Sequence, residues 1–252
     1  MTDARTGART DAGKVRENNE DRWLIRDQRG VLLLAVADGV GGEAGGEHAS
    51  AAAIDALAAR FYGALGGQDL RSALGAAVRE ANDAVVRSAS ERGDRSATTL
   101  VAAAVRGSEA TIVNVGDSRA YLIHKRKPRQ VTTDHAGAGA NEITRFLGDE
   151  RGIQADMFLE TLRTGDRLVL CSDGLTRHVP DAEIAHRAAR LEPSRAANEL
   201  VDLANSRGGE DNVTVVVYEA RGSVLARALA ATIIMLIVVL ATLIGALSIP
   251  AF

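Results

Sequence analysis

The order of the apolar runs constrains this chain most. Trp23-Leu24-Ile25 and the run from Val31 to Ala37 read as two strands around a turn at Gln28-Arg29-Gly30. Two Ala-rich helical stretches follow, over 49–62 and 70–90. Strand-like runs resume at 98–105, 110–115 and 120–124, with another at 167–171. Helical stretches at 182–191 and 195–204 precede a closing β-branched run over 213–218. Strands and helices therefore come in blocks rather than in steady alternation. That order argues against a doubly wound parallel sheet and predicts antiparallel sheet covered by helices. Of the 252 residues 46% are hydrophobic, enough for one sizeable core, but aromatics are only 3%, so Ala, Val, Leu and Ile must fill it.

Several function classes drop out early. A net charge of -3 supplies no cationic field for nucleic acid. The single cysteine, Cys171, excludes an intramolecular disulfide and a CxxC redox centre; it reads as a buried strand residue. His48, His124, His135, His178 and His186 are scattered without zinc-site spacing. Gly39-Val40-Gly41-Gly42 is not a nucleotide loop, because Ala44 stands where the third glycine of GxGxxG would fall.

The chain ends differ. The start is polar and lacks a signal peptide's apolar run, and residues 1–9 are expected to be a flexible N-terminus. From Ala228 to Phe252 no residue is charged. A helix of roughly 20 residues spans a bilayer core, so 228–250 is expected to be a transmembrane helix. Arg221 and Arg227 precede it and favour a cytoplasmic domain. The expected organisation is a catalytic domain over 10–220, a juxtamembrane tether over 221–227 and a single-pass anchor in the inner membrane.

The chemistry gathers where apolar runs end in acids. Glu20-Asp21 precedes Trp23, Asp38 follows Ala35-Val36-Ala37, Asp173 follows Cys171-Ser172, and Asp211 precedes Val213. Asp117, after Val115-Gly116, is a fifth example. Any one of these reads equally well as a turn aspartate. Together at one end of a sheet they would repel one another unless cations were present, and hard oxygen ligands suit Mg²⁺ or Mn²⁺.

Asp11-Ala12-Gly13-Lys14-Val15-Arg16-Glu17-Asn18-Asn19-Glu20-Asp21 resembles the opening motif of the PP2C (PPM) metal-dependent protein phosphatases. Ala37-Asp38-Gly39-Val40-Gly41-Gly42, Thr98-Thr99-Leu100-Val101 and Asn114-Val115-Gly116-Asp117-Ser118-Arg119 resemble later motifs in the right order. Thr133-Asp134-His135, Ile143-Thr144-Arg145, Cys171-Ser172-Asp173-Gly174 and Asp211-Asn212-Val213-Thr214 complete the series. The resemblance implies an α+β fold, a four-layer α-β-β-α sandwich, and hydrolysis of phosphoserine and phosphothreonine in proteins. By position, Asp38 would bridge two metals, Mn²⁺ or Mg²⁺, with the Gly39 carbonyl as a further ligand. Asp173 and Asp211 would bind one metal. Asp21 and Glu20 would hold waters on the other, and Asp117 would support a weaker third. Arg16 would bind phosphate, its planar fork matching phosphate oxygens. A metal-bridged hydroxide would attack phosphorus in line, with no phosphoenzyme.

The chain also departs from the family pattern. Val40 stands where eukaryotic members often have histidine, so no side-chain acid is assigned. Glu43, Ala97 and Arg177 replace the usual histidine, glycine and acidic residue, and none removes an expected metal ligand. Only Ala-Gly-Ala-Gly-Ala-Asn-Glu separates His135 from Ile143, where many bacterial relatives carry a longer flap. The shortening predicts an open site with weaker peptide discrimination. Expected partners are phosphorylated proteins, a cognate serine/threonine kinase and the membrane, with no nucleic acid. The competing readings are a phosphatase for anti-sigma-antagonist proteins or small phosphate esters, and a weakly active phosphoprotein-binding module.

Overall fold

The computed structural model describes residues 5–40, 45–66, 69–137, 139 and 142–220. The chain opens with β1 (Arg5–Asp11), then the hairpin β2 (Arg22–Gln28) and β3 (Val31–Ala37), and a short β4 (Gly39–Val40). Helices α1 (Gly45–Ala64) and α2 (Leu70–Arg92) follow, then β5 (Ala97–Thr98), β6 (Leu100–Arg106) and β7 (Glu109–Val115). Next come β8 (Arg119–His124), β9 (Lys127–Gln130), β10 (Asp156–Thr161) and β11 (Arg167–Cys171). The one-turn α3 (Asp173–Thr176), α4 (Asp181–Arg190), α5 (Pro193–Ser206) and β12 (Val213–Glu219) complete the domain.

Two antiparallel five-stranded sheets face each other, ordered β1-β12-β11-β8-β9 and β10-β7-β6-β3-β2. Alternation along the apolar strands explains the layering. Leu33, Ala35 and Ala37 point towards α1 and α2, joining Leu57, Phe61, Leu74 and Ala77. Their neighbours Leu32, Leu34 and Val36 point inward and meet Leu168, Leu170 and Val216 of the other sheet. That second sheet sends Val169, Val213, Val215 and Val217 outward onto Ile184, Leu200 and Val201 of α4 and α5. The result is the expected α-β-β-α sandwich. Alanines fill many of the helix–sheet contacts, which accounts for the scarcity of aromatics. Helix α2 starts on Asp69, whose carboxylate accepts from the Ser72 N–H at 2.9 Å, and ends on Gly93 in the left-handed region.

Two differences from the sequence reading bear on the site. Residues 5–9, expected to be a flexible tail, belong to β1, which pairs along its whole length with β12. The single strand expected over 98–105 breaks at Thr99, because the Thr99 N–H leaves the ladder and donates to the Asp38 carbonyl at 2.9 Å.

The expected membrane anchor is corrected. No helix among the described residues is long and apolar enough to cross a membrane. The longest, α2, carries Arg79, Glu80, Asp83 and Arg87 through its middle, and such charges are costly in a bilayer. Residues 221–252, which include the tether and the 228–250 segment, lie outside the described residues. The described residues form an α+β sandwich, and none of their helices is a transmembrane helix. The single-pass inner-membrane location and the membrane as a partner are withdrawn with it.

Candidate active site

Strands β3, β11 and β12 place their acidic ends around one cleft of about 440 Å³. Arg16, Glu20, Asp38, Gly39, Asp117, Asp173 and Asp211 all line it, with Val40, Ile143 and Arg177. Of the residues expected from the sequence, only Asp21 lies behind this surface. It is 1% exposed, and its Oδ2 accepts from the Ser172 hydroxyl at 2.7 Å.

Asp38 is held through its backbone. Its N–H donates to Thr99 Oγ1 at 3.1 Å, and its carbonyl accepts from the Thr98 hydroxyl at 2.8 Å and the Thr99 N–H at 2.9 Å. These backbone contacts fix where the carboxylate starts. Gly39 follows because nothing larger fits. A Cβ there would collide with the Gly46 carbonyl at the start of α1 and stand 2.7 Å from the Glu20 carbonyl. Asp117 is presented by a turn at Gly116, whose φ of 109° only glycine adopts readily. His135 clasps that turn, its N–H donating to the Gly116 carbonyl at 3.0 Å and its Nδ1 accepting from the Gly116 N–H at 3.1 Å. Its Nε2 stands 3.1 Å from Asp156 Oδ2 and 3.2 Å from Arg145 Nη1.

Asn212 joins the two chain ends. Its Oδ1 accepts from the Glu20 N–H at 2.8 Å, and its Nδ2 donates to the carbonyls of Ala12 at 3.0 Å and Asn18 at 2.8 Å. The loop bearing Arg16 is thereby pinned beside Asp211. The Arg16 fork takes both Asp211 oxygens, Nε to Oδ1 and Nη2 to Oδ2, each at 3.0 Å. From the other wall Arg177 donates to Asp173 Oδ2 through Nε at 2.9 Å and through Nη2.

Crowding shows in the proton affinities. Burial pushes the Asp38 carboxyl well above its ordinary value, and the charges of Asp21, Asp173, Asp117 and Asp211 push it further. Asp38 is half-buried by surface, but its carboxyl is enclosed deeply enough for burial to dominate. Burial also raises Asp21 to about 7, against the pull of Thr214 and Ser172, with Asp173 and Asp211 adding to the rise. Asp117 rises to about 6 through burial and the Asp173 charge, and Glu20 rises through burial.

These residues fit divalent cations. Six carboxylates face two guanidinium groups here, and Asp21 Oδ1 and Asp117 Oδ1 are buried without a hydrogen-bond partner. A buried carboxylate oxygen left in that state is costly unless a cation satisfies it. Among the described residues no three acidic, histidine or cysteine side chains close into a ready ion-ligating group. The ion pairs explain this, because the outer carboxylates are drawn onto Arg16 and Arg177. Cys171 is fully buried, and burial pushes its thiol up to about 12, so it is no nucleophile.

Sequence reasoning assigned no role to Thr98, Thr99, Ser172 or Asn212. Each sits inside a recognised motif, and Ser172 and Asn212 adjoin Asp173 and Asp211, which was the available signal for those two; Thr98 and Thr99 have no neighbouring aspartate in sequence. Arg177 was noted only as a departure, and Glu43 lies outside the described residues.

Comparison with known proteins agrees with this geometry. The family model described as protein phosphatase 2C matches residues 11–206. A serine/threonine phosphatase stp of Listeria innocua is 34% identical over 238 residues, covering 84% of this chain and 94% of its own. The serine/threonine protein phosphatase PstP of Mycobacterium tuberculosis is 37% identical, covering 85% of this chain and 45% of its own. A crystal structure of that phosphatase superposes with a TM-score of 0.78 at 36% identity, covering 86% of this chain and 99% of its own. A PstP catalytic domain described in complex with 2 manganese ions superposes with a TM-score of 0.77 at 37% identity, covering 86% of this chain and 98% of its own.

Proposed function

The chain belongs to the protein phosphatase 2C family, and from that premise we propose how its own residues carry out the reaction. It is a metal-dependent serine/threonine protein phosphatase. Two divalent ions, Mn²⁺ or Mg²⁺, serve the domain, as two manganese ions do in the PstP catalytic domain. When bound, they supply a water of lowered pKa and positive charge for the phosphoryl oxygens.

Asp38 and the Gly39 carbonyl would hold the ions, Asp173 and Asp211 would bind one of them, Asp21 and Glu20 would orient waters at the other, and Asp117 would support a weaker third site. Arg16 is 53% exposed on its side chain, so it can exchange Asp211 for a phosphoryl group at the cost of one charge-assisted pair for another. Val40 and Ile143 form the apolar part of the wall. Cys171, buried away from the cleft, offers no thiol nucleophile, and a metal-bound water would supply the attacking oxygen. Substrates are phosphoserine and phosphothreonine proteins, and the kinase that supplies them is the natural partner.

The observation that carries these roles is the gathering of Asp38, Asp117, Asp173, Asp211 and Arg16 in one cleft. Phosphate release from a phosphothreonine peptide, measured with Mn²⁺, with EDTA and with folded Asp38→Asn, tests them. Turnover should require both Mn²⁺ and Asp38. A small phosphate ester hydrolysed far faster than phosphopeptides would redirect the substrate assignment.

A further inference from the structure

Arg177 lines the cleft, yet the reaction above gives it no task. It follows the single turn of α3 that begins at Asp173, and its guanidinium folds back over that turn. Both Nε and Nη2 donate to Asp173 Oδ2, and Nη2 stands 3.9 Å from Asp211 Oδ2. These are the two carboxylates assigned above to one metal, and the inference rests on that assignment. A guanidinium and a divalent ion cannot hold the same oxygen lone pairs together. Among the described residues, the hydrogen bonds of the Arg177 side chain go to Asp173, and 31% of its surface is exposed, so it can leave without breaking a core contact. A second cavity of about 260 Å³ adjoins it; Asp117 and Glu142 line this cavity, with Asp134, which Arg119 already holds at 2.7 Å, so Asp117 and Glu142 are the carboxylates it offers.

We infer that Arg177 is a tethered counter-ion of the metal centre, competing with the divalent cation for Asp173 directly and acting on Asp211 through charge alone. A ligand that binds only one of two states sees its affinity reduced by the fraction of time that state is absent. Arg177 therefore raises the Mn²⁺ concentration needed to load the site. In exchange it restrains carboxylate repulsion when metal is scarce. Arginine suits this task better than lysine because its fork makes two directed contacts on one oxygen.

The test titrates Mn²⁺ calorimetrically into the full chain after EDTA treatment and dialysis, without substrate. Arg177→Gln should tighten Mn²⁺ binding about tenfold, the scale of one partly exposed charge-assisted pair. Arg177→Lys should fall between Gln and wild type. In EDTA, Arg177→Gln should melt below wild type, and saturating Mn²⁺ should raise its Tm by more. Arg187→Gln, which removes a charge paired with Glu199, should leave Mn²⁺ affinity unchanged. Equal tightening by Arg187→Gln would reduce the effect to net charge and overturn the inference. Unchanged or weaker binding by both Arg177 variants, with Asp173→Asn losing Mn²⁺, would overturn the inference alone. Asp173→Asn binding Mn²⁺ like wild type would overturn the ligand assignment as well.

Discussion

Replacing Asn212 with alanine should damage stability and catalysis together. The side chain belongs to a residue only 6% exposed and makes three hydrogen bonds to backbone groups of residues 12–20. Each such bond contributes about 1 kcal/mol net, and partners left buried raise the loss, so the variant should lose about 3 kcal/mol. For a domain of this size that lowers Tm by about 6–12 °C. The same residues carry Arg16, Glu20 and Asp21, so loosening them displaces the phosphate-binding fork. A shift of about 1 Å can cost up to a hundredfold in rate, and kcat/KM should fall by about ten- to a hundredfold. Urea denaturation in saturating Mn²⁺ gives the first number, and phosphothreonine-peptide kinetics well below Tm gives the second. Asn212→Asp keeps the acceptor for the Glu20 N–H but loses both donors and sets a charge beside Asp211, so it should be no better than alanine. A loss below about 1 kcal/mol, or full activity in a destabilised variant, would refute the idea that Asn212 couples the Arg16 loop to the metal site.

Asp38→Asn should keep the fold and lose at least about a hundredfold in Mn²⁺-dependent turnover, and near-normal kcat would remove Asp38 from the centre. Gly39→Ala should cost about 3 kcal/mol in chemical denaturation, because the added carbon meets backbone at Gly46 and Glu20 that cannot rotate away; an unchanged midpoint would contradict that packing. In EDTA, stability should fall as pH rises from about 4 to about 7. Asp21, at about 7, and Asp117, at about 6, bind protons more tightly folded than unfolded, so the folded state holds more protons in that window. Denaturation midpoints that rise across it would show that these carboxyls are not crowded as described. Lengthening the 136–142 segment with a flap should sharpen selectivity among phosphopeptides, and an unchanged ranking would remove that segment from substrate choice.

What could be read from the sequence follows from how each element is stabilised. Strands β3 and β11 are apolar on both faces because both faces are buried, and such runs announce themselves. Helix α2 starts at Leu70 as expected and runs to Arg92, past the expected end at 90, until Gly93 closes it through local backbone geometry. β1 was not legible, since Arg5-Thr6-Gly7-Ala8-Arg9-Thr10-Asp11 has no apolar alternation. It exists by pairing with β12 and through polar contacts such as Arg9 to Asp202 at 2.7 Å and Thr10 to Thr214 at 2.7 Å. The site divides in the same way. Carboxylates at strand ends are visible as a pattern, whereas Thr98 and Asn212 act on backbone atoms far away in sequence. Only the fold reveals those partners. The apolar 228–250 segment lies outside the described residues, and no described helix supports the membrane location expected from it.

The location of the site at the junction of the chain ends links metal binding to the whole fold. Arg16 and Asp211 are 195 positions apart, yet they form the ion pair on one wall of the cleft. They meet because β1 and β12 pair from Arg5↔Glu219 to Asp11↔Val213, and because the Lys14 N–H reaches the Gly209 carbonyl at 2.7 Å. Among the described residues β1 is also an edge strand, paired with β12 alone in its sheet. Contacts of such sequence separation close late, since their loop entropy is lost before they contribute. The complete constellation therefore forms only when the ends of the domain have docked. Metal bound there stabilises the docked state by mass action, and opening of the β1 edge releases the Arg16 loop from Asp211 and Asn212. In this chain a polar edge strand thus governs whether the phosphate-binding arginine and the carboxylates stand in the same cleft.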